Sequence, residues 1–338
     1  MKHLLHRGLL LGLLLVCTCQ TSLYSQDYLR LLFYNTENYF DTKNDTLKQD
    51  DAFLPEGDYH WTPQRFWHKT HQLAKVLAVA GDVRYPDVFA LAEIETEENL
   101  TTLLRTAGMR QHRYVYAESQ DDRGIDLCLA YHRYYLKLLS HRVIHLQFPQ
   151  SPAKRSRPIL YVKMQMPHQD SLHIFVCHWP SKYGGSAATA PLRAYAGVVL
   201  RQYCDSIFAL EQHANILIMG DFNDEADDLS LREHLGALPD TCRQWQMNQL
   251  YNLMWTESQN EGIKTHRYQG EWAMLDQIIV SGNLYRKHLK AKVLKADFLL
   301  MDDDVYLGKK PYRTYHGYKY LGGYSDHLPV FVDIPLKP

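Results

Sequence analysis

The sequence has no marked excess of charge of either sign, no long hydrophobic run and few cysteines. Each of these absences narrows the range of functions that the protein can have. Its 338 residues include 37 lysines and arginines against 38 aspartates and glutamates, so it lacks the basic surplus of proteins that hold nucleic acid mainly through phosphate charge. No stretch reaches the roughly 18 consecutive apolar residues of a transmembrane helix. The composition, 46% hydrophobic and 22% charged, is globular. Any anionic ligand must therefore be bound by a local cluster of charge.

Residues 1–25 have the pattern of a bacterial secretory signal peptide. Two basic residues precede an apolar run at 9–16, and small and polar residues follow it. We expect cleavage after position 25, which leaves residues 26–338 as one exported domain, periplasmic or secreted. Lipid attachment at Cys17 or Cys19 is the alternative.

Four cysteines follow the predicted signal peptide: Cys128, Cys177, Cys204 and Cys242. Their spacing matches neither a zinc site nor a small disulfide framework. Cys128 and Cys177 lie in apolar, strand-like runs. We therefore expect buried free thiols and predict no disulfide.

Short apolar runs recur along the chain and predict β-strands, several of them buried on both faces. The predicted strands lie at residues 29–34, 87–94, 125–131, 159–165, 172–178, 216–220, 275–281 and 330–334. A helix is predicted at 63–81 with Thr62 as its N-cap, and another at about 190–212 with an apolar stripe that ends at Leu210. Strands and helices mixed in one unit, without a linker or a repeat, predict an α/β or α+β sandwich.

The segment 220–224, Gly-Asp-Phe-Asn-Asp, directly follows a buried strand. Asp221 and Asn223 are two residues apart, so they emerge on the same side of that strand. Such a carboxylate and amide can hold a water molecule or a phosphate oxygen. An ordinary turn is the alternative, since Asp, Asn and Gly all favour turns.

Asp326 and His327 precede the last predicted strand within Ser-Asp-His-Leu-Pro. This pair offers a hard oxygen ligand, or an acid/base group, next to an imidazole that titrates near neutrality. A surface turn is the alternative for this segment.

Glu93 follows the apolar run 88–92. A carboxylate so close to a core needs a partner, and a divalent cation is one candidate. Solvation at the strand end is the alternative for Glu93.

Further polar residues lie at other strand ends. His178 follows the apolar run 172–177, and Asp276 lies at the mouth of a strand, where it is suited to orienting an imidazole. Asn35 closes the first strand, where a simple turn is the alternative. Most of the chain's 18 histidines are expected to be structural or exposed.

Taken together and in this order, these residues resemble the endonuclease/exonuclease/phosphatase superfamily, the group built like deoxyribonuclease I. The resemblance runs from about residue 29 to residue 334 and rests on Gly-Asp-Phe-Asn, Leu-Asp-Gln-Ile and Ser-Asp-His-Leu-Pro in combination. It implies a four-layer sandwich of two packed β-sheets flanked by helices. It also implies metal-dependent hydrolysis of phosphodiester bonds at one site at the top of the sandwich.

The resemblance implies a divalent metal ion, and the oxygen and amide ligands fit a single-metal site best. Glu93 is its expected principal ligand, with Asn35 and Asp326 assisting. Hard oxygen and amide donors favour Mg²⁺, with Mn²⁺ or Ca²⁺ as alternatives.

The resemblance also assigns catalytic roles. Asp221 and Asn223 are expected to position the attacking water and a phosphate oxygen. His327 is expected to act as general base or phosphate contact, with Asp276 fixing its tautomer. His178 is the expected second imidazole, which protonates or stabilises the leaving oxygen.

Looser expectations concern the surroundings of these groups. Asp126 is expected to orient His178. Arg123, Arg157 and Lys182 are the expected substrate contacts, although a basic residue in such a run can equally belong to a solvated face.

The substrate is less determined than the reaction. The stretch 306–324 carries six tyrosines together with basic residues that include Lys309, Lys310 and Arg313, and the tyrosines either stack substrate rings or pack against their own loop. We expect a monomeric nuclease acting on DNA or RNA. The alternatives are a phospholipid or small-phosphoester hydrolase, and an inactive binding protein of the same fold.

Overall fold

A computed structural model describes residues 27–336. The predicted signal peptide lies outside these residues, so export stays a prediction. No helix within the described part of the chain is both long and apolar enough to span a bilayer.

The described part of the chain contains five α-helices and nineteen strands. The α-helices are α1 (Pro63–Gly81), α2 (Glu97–Thr106), α3 (Ser186–Leu210), α4 (Trp255–Gln259) and α5 (Gly282–Tyr285), with single 3₁₀ turns at Asp51–Phe53 and Asp297–Leu299 and a π turn at Ser230–His234. The strands are β1 (Tyr28–Tyr39), β2 (Val88–Ile94), β3 (His112–Ala117), β4 (Asp126–His132), β5 (Lys137–Ile144), β6 (Ile159–Gln165), β7 (Ser171–His178), β8 (Asn215–Asp221), β9 (Ala237–Pro239), β10 (Leu250–Asn252), β11 (His266–Tyr268), β12 (Glu271–Ala273), β13 (Asp276–Ser281), β14 (Ala291–Val293), β15 (Leu300–Asp302), β16 (Lys309–Pro311), β17 (Tyr315–His316), β18 (Lys319–Tyr320) and β19 (Val330–Pro335).

Two large sheets organise the fold. The first has six strands in the order β14-β19-β1-β2-β4-β3, and the second has seven in the order β5-β6-β7-β8-β13-β10-β9. Each sheet is mixed, because β1 and β2 run parallel in the first and β7 and β8 run parallel in the second. Every residue of β8 is buried, as its continuous apolar run predicts.

The main core lies between the two sheets. Apolar side chains of β1 and β2 pack in the same cluster as those of β8 and β13, and Leu73 and Leu77 of α1 join it from the outer face of the first sheet. A second cluster lies between the other face of the second sheet and α3, where Phe175 and Ile218 meet Ala196 and Leu200. The predicted four-layer sandwich is confirmed.

Helix α1 matches its predicted bounds because its end signals are local. The Thr62 hydroxyl accepts a hydrogen bond from the Arg65 N–H, and Pro63 opens the helix.

The predicted start of α3 and the predicted end of its apolar stripe were wrong. The helix begins at Ser186 and buries the row Ala196, Leu200, Cys204 and Phe208 most deeply, whereas Leu210 is 88% exposed. Apolar residues line two adjacent faces of α3, so periodicity alone could not choose between them.

The thiols of the described chain are free, as predicted. Cys128, Cys177 and Cys204 are buried, and Cys242 is partly exposed.

Candidate active site

The predicted site residues collect at one end of the two sheets. The second sheet contributes a row across three neighbouring strands: His178 ends β7, Asp221 ends β8 and Asp276 begins β13. His178 pairs with Asp221 in register, and Asp221 pairs with Asp276. Strand pairing therefore brings together three residues that are far apart in the sequence.

Gly220 allows the close pairing of β7 and β8 just before this row. A Cβ atom at position 220 would lie 2.2 Å from the Cys177 carbonyl oxygen. Since no side chain fits there, the glycine in Gly-Asp-Phe-Asn is required by packing.

Irregular backbone in the first sheet turns its polar residues toward the same point. The pairing of β1 with β2 shifts register between Asn35 and Tyr39, and the pairing of β2 with β4 shifts around Glu93. Glu37, Asn38 and Glu93 all have positive φ angles, as does Asn223 on the facing sheet. Each such residue costs about 1–3 kcal/mol, and such strain concentrates at functional sites.

Asn35 links the two sheets. Its Nδ2 donates to Glu93 Oε1 at 3.3 Å and to Asp221 Oδ2 at 3.0 Å. Its Oδ1 accepts from the Glu37 N–H at 3.0 Å, and the Asn38 N–H donates to Glu93 Oε2 at 3.0 Å. The amide thus bridges two carboxylates that would otherwise repel each other.

His327 and Asp276 form a buried dyad. Asp276 Oδ2 lies 2.7 Å from His327 Nδ1, and His327 Nε2 lies 3.8 Å from Asp221 Oδ2. Burial disfavours the imidazolium, but the charges of Asp276, Asp221 and Asp326 outweigh it and raise the pKa of His327 well above its usual value. The second oxygen of Asp276, Oδ1, is buried without a hydrogen-bond partner.

The donor set fits a hard divalent cation. Burial raises the pKa of Asp221 to about 7, since His327 lowers it less than burial and Asp276 raise it. Such crowded acidic groups need a cation to stay ionised. Among the described residues, two groups of side chains present ligand atoms that lie within 4.8 Å of one another. One group is Asp221, Asp276 and His327, and the other is His266, Asp326 and His327. Glu93, bridged to Asp221 by Asn35, adds a further carboxylate beside the first group.

His178 faces the same acidic cluster. Its Nε2 lies 3.5 Å from Asp221 Oδ2 and 3.8 Å from Glu93 Oε1. Burial, and then the positive charges of Arg157 and Arg123, hold the pKa of His178 well below its usual value, so a neutral ring is favoured. Its Nδ1 is buried without a hydrogen-bond partner.

The expectation that Asp126 orients His178 was wrong. The Asp126 carboxylate instead accepts hydrogen bonds from the Tyr116 hydroxyl and, at 2.6 Å, from the Ser119 N–H. Asp126 begins β4, beyond β2 from the centre of the site, and its partners come from β3 and the loop that follows it.

The three basic residues expected to contact substrate differ in exposure. The side chain of Arg123 is 49% exposed, and its Nε lies 3.1 Å from Asp121 Oδ1. Lys182 is paired with Asp224 and Asp228 at 3.4 and 3.6 Å. Substrate contact by these two residues stays a prediction.

Arg157 is buried and engaged within the fold. Its side chain is 5% exposed, and it donates to Asp121 Oδ2 at 3.0 Å and to the Trp179 carbonyl oxygen at 2.5 Å. Because Trp179 follows His178, the structure gives Arg157 a positioning contact beneath the site.

Replacing Asp121 with asparagine is expected to destabilise the protein by about 3–5 kcal/mol, because it leaves the buried Arg157 cation without its carboxylate. Burial alone would raise the pKa of Asp121, but Arg123 and Arg157 outweigh it and lower the pKa to about 2. The stability that this carboxylate contributes is therefore present above its unfolded pKa near 4. It is lost as the pH falls through about 2, a change of roughly 2 kcal/mol.

Urea denaturation between pH 2 and pH 7 measures both effects. Asp122→Asn is the matched control, because its contact with Arg155 at 3.5 Å is exposed on both sides and should contribute below about 1 kcal/mol. Equal stabilities of the Asp121 and Asp122 variants would contradict the assignment.

Several residues beside the site were not identified from the sequence. Glu37 is buried and accepts from the Thr314 N–H at 2.6 Å and from Arg313 Nε at 3.2 Å. The Arg313 Nη2 also donates to Asp326 Oδ2 at 3.1 Å. Lys69 is buried and donates to Thr314 and to the Tyr324 carbonyl oxygen, both at 2.6 Å.

His266 also escaped the sequence-based prediction. Its ring centre lies 4.9 Å from that of His327, and the two residues form an isolated backbone bridge. Burial lowers the pKa of His266 to about 4, so its ring is neutral near pH 7.

Solved structures with the same fold are of several kinds. A D. rerio TDP2 humanized by 14 mutations is 16% identical, with 90% of this chain and 98% of that chain covered and a TM-score of 0.55. The human Nocturnin catalytic domain with bound sulfate is 15% identical, covering 90% and 93%, with a TM-score of 0.54. A mannosyl-6-phosphatase of Bacteroides thetaiotaomicron is 14% identical, covering 90% and 98%, with a TM-score of 0.55.

At these identities the structural likeness concerns the fold alone. No curated protein sequence matches the chain. The sequence model of the endonuclease/exonuclease/phosphatase family, in contrast, matches residues 30–335. The protein therefore belongs to the endonuclease/exonuclease/phosphatase family, whose members are metal-dependent hydrolases of phosphoester bonds.

Proposed function

We propose that the protein hydrolyses phosphoester bonds at the cluster formed by Glu93, Asp221, Asp276 and His327, with water as the nucleophile. The observation that carries this proposal is the buried Asp276–His327 dyad, 2.7 Å between Oδ2 and Nδ1, facing Asp221 across 3.8 Å. A phosphoester transition state gathers negative charge on its non-bridging oxygens. The site places hydrogen-bond donors and a base around one point, where the donors can stabilise that charge.

Asp221 is the proposed base for the attacking water. In the cluster without a cation, burial raises the pKa of Asp221 to about 7, and a carboxylate of raised pKa is basic enough to take a proton near neutral pH. The Asn223 N–H donates to Asp221 Oδ1 at 2.9 Å and leaves Oδ2 turned toward the two histidines. The carboxylate is thereby held in one orientation.

The two histidines contact the phosphate in different protonation states. His327 has its proton held by Asp276, so its imidazolium is suited to a non-bridging or leaving oxygen. His178, favoured in the neutral form by burial, donates a hydrogen bond through Nε2 and is not a strong acid. A charged and a neutral donor together divide the stabilisation of the transition state.

Glu93, with Asn35 and Asp326, is the proposed site for a divalent cation, with Mg²⁺ first and Mn²⁺ or Ca²⁺ as alternatives. When bound, the cation supplies Lewis-acid stabilisation of phosphate charge.

DNA or RNA remains a proposed substrate, and small phosphoesters are the second class. The similar structures include a D. rerio TDP2 complexed with a single-strand DNA product and a mannosyl-6-phosphatase, so the fold accommodates both classes. We also propose that the protein acts outside the cytoplasm, on the strength of the pattern in residues 1–25.

A substrate panel tests the proposed function. Residues 26–338 would be assayed with Mg²⁺ or with EDTA on bis(4-nitrophenyl) phosphate, plasmid DNA, RNA, sugar phosphates and sphingomyelin. We expect turnover of at least one phosphoester with Mg²⁺ and its loss in EDTA. Turnover unaffected by EDTA, or no turnover on any substrate, would overturn the proposal.

A further inference from the structure

A cavity of about 210 Å³ opens beside Asp326. Its walls come from the turn between β11 and β12, from the loop between β15 and β16, and from the segment that follows β16. Asp326 immediately precedes His327, so the cavity lies next to the proposed reaction centre.

The cavity has an aromatic wall set by a glycine contact. Tyr306 is 51% exposed, and a Cβ atom at Gly270 would lie 3.0 Å from the Cβ, Cγ and Cδ1 atoms of Tyr306. Gly270 also has a φ of +89°, a conformation that other residues adopt only with strain. The tyrosine ring therefore lies directly on the backbone of the turn.

A buried carboxylate holds the loop that carries Tyr306. Asp303 accepts from the Val305 and Tyr306 N–H groups at 3.2 and 3.3 Å. Arg267 Nη1 and Lys310 Nζ lie 3.3 and 3.2 Å from its oxygens. These contacts fix the aromatic wall in place before a ligand arrives, which lowers the entropy cost of binding.

Arg313 joins the cavity to the reaction centre. It lines the cavity, while its guanidinium reaches Glu37 and Asp326 at 3.2 and 3.1 Å. Its side chain is 35% exposed, so the two carboxylates do not fully enclose its charge. A phosphate near Asp326 would meet this cation and the cavity together.

A larger groove elsewhere on the described surface is less suited to a long polyanion. A groove of about 1070 Å³ runs past the loop before β4 and the loop before β6. The charged residues that line it are three basic and three acidic: Lys48, Lys154, Arg155, Glu118, Asp121 and Asp122. Balanced charge offers no net attraction for several phosphates in a row.

We propose that the cavity beside Asp326 binds a sugar ring attached to the phosphate under attack, with Tyr306 as its stacking face. This inference rests on the proposed function and names its substrate class. The volume of about 210 Å³ is below the roughly 300–1,000 Å³ of pockets for drug-sized ligands, so a single ring fits. Hydroxyl groups of the ring meet the polar side chains of the wall.

Two matched substrate pairs, assayed with Mg²⁺, test this proposal. Glucose 6-phosphate is compared with glycerol 1-phosphate, and the 4-nitrophenyl ester of thymidine 5′-phosphate is compared with methyl 4-nitrophenyl phosphate. The members of each pair share a bond type and differ in the ring. The wild-type protein should prefer the ring-bearing member of one pair at least about tenfold in kcat/KM, and the preferred pair shows whether the ring is a hexose or a nucleoside sugar.

Tyr306→Ala should raise KM for the preferred ring-bearing substrate about tenfold and change kcat little, because an aromatic platform stabilises the bound ring. Gly270→Ala should shift KM in the same direction by displacing the tyrosine. Tyr318→Ala is the control, since Tyr318 is 65% exposed, lies in the same stretch and does not line the cavity. It should behave as wild type.

The two possible failures are distinguishable. Turnover of both members of each pair at similar rates, or equal effects of Tyr306→Ala on ring-bearing and ringless substrates, would overturn the inference and leave the proposed function intact. No metal-dependent turnover of any phosphoester would overturn the proposed function and the inference with it.

Discussion

Replacing His327 with alanine is expected to lower kcat for phosphoester hydrolysis by about 10³-fold. The substitution removes the charged donor that Asp276 holds at 2.7 Å, and the loss of one such donor to a developing negative charge costs roughly 10²–10³-fold. It also leaves Asp276 buried without its cationic partner. KM should change much less than kcat, since the contact strengthens mainly in the transition state.

His173→Ala is the matched control for this prediction. His173 is also a buried imidazole on β7 with a carboxylate partner, Glu211 at 3.0 Å, but it lies at the opposite end of that strand from His178. Its replacement should leave kcat within a few-fold of wild type. A His327 variant that retains kcat, or a His173 variant that loses as much, would contradict the assigned role.

Glu93→Gln is expected to weaken binding of Mg²⁺ or Mn²⁺ by at least about 100-fold, because loss of even an outer partner of a metal ligand costs 10–100-fold. The amide keeps the shape of the side chain and removes its negative charge. Activity at limiting metal should fall accordingly and recover in part at high metal concentration. Isothermal titration calorimetry measures the binding step without depending on turnover.

Glu95→Gln is the control two residues away. Burial raises the pKa of Glu95 to about 8, so its carboxyl is largely neutral at pH 7 and glutamine resembles the state already present. Metal affinity should therefore stay at the wild-type level in this variant. Unchanged affinity in Glu93→Gln, or equal losses in both variants, would show that Glu93 is not the principal metal ligand.

The sequence predicted those parts of the site that follow buried strands. Asp221, His178 and Asp276 stand at the ends of β8, β7 and β13, where a continuous apolar run stops at a polar residue. Such a boundary is visible without the structure because burial on both faces leaves few polar positions inside the strand. Strand pairing then aligns these ends, and a family resemblance supplied the roles.

Other parts of the site had no local signal. Arg313 and His266 belong to short strands and turns with no hydrophobic period, and their contacts join residues such as Glu37 and Arg313 that are 276 positions apart. The left-handed backbone at Glu93 is likewise imposed by the neighbouring strands. Asp126 is the opposite case. Its carboxylate was predicted to orient His178 from its residue type alone, but the fold gives Asp126 other hydrogen-bond partners.

In the stretch 306–324, the self-packing interpretation holds for some of the tyrosines, and stacking on a substrate stays a prediction for the exposed ones. Tyr315 and Tyr324 are 6% and 5% exposed and pack within the protein, whereas Tyr306 and Tyr318 are 51% and 65% exposed. Composition could not separate the two sets, since the difference depends on which tyrosines the fold places over the core.

The central claim is that this cluster hydrolyses phosphoesters with a divalent cation. Its most direct test is the initial rate of bis(4-nitrophenyl) phosphate hydrolysis by EDTA-stripped protein as Mg²⁺ is added back, with His327→Ala alongside. We predict no turnover without metal, a saturable rise with Mg²⁺ in the wild type, and a rise about 10³-fold smaller in the variant. Equal rates with and without metal, or equal rates for the two proteins, would contradict the account.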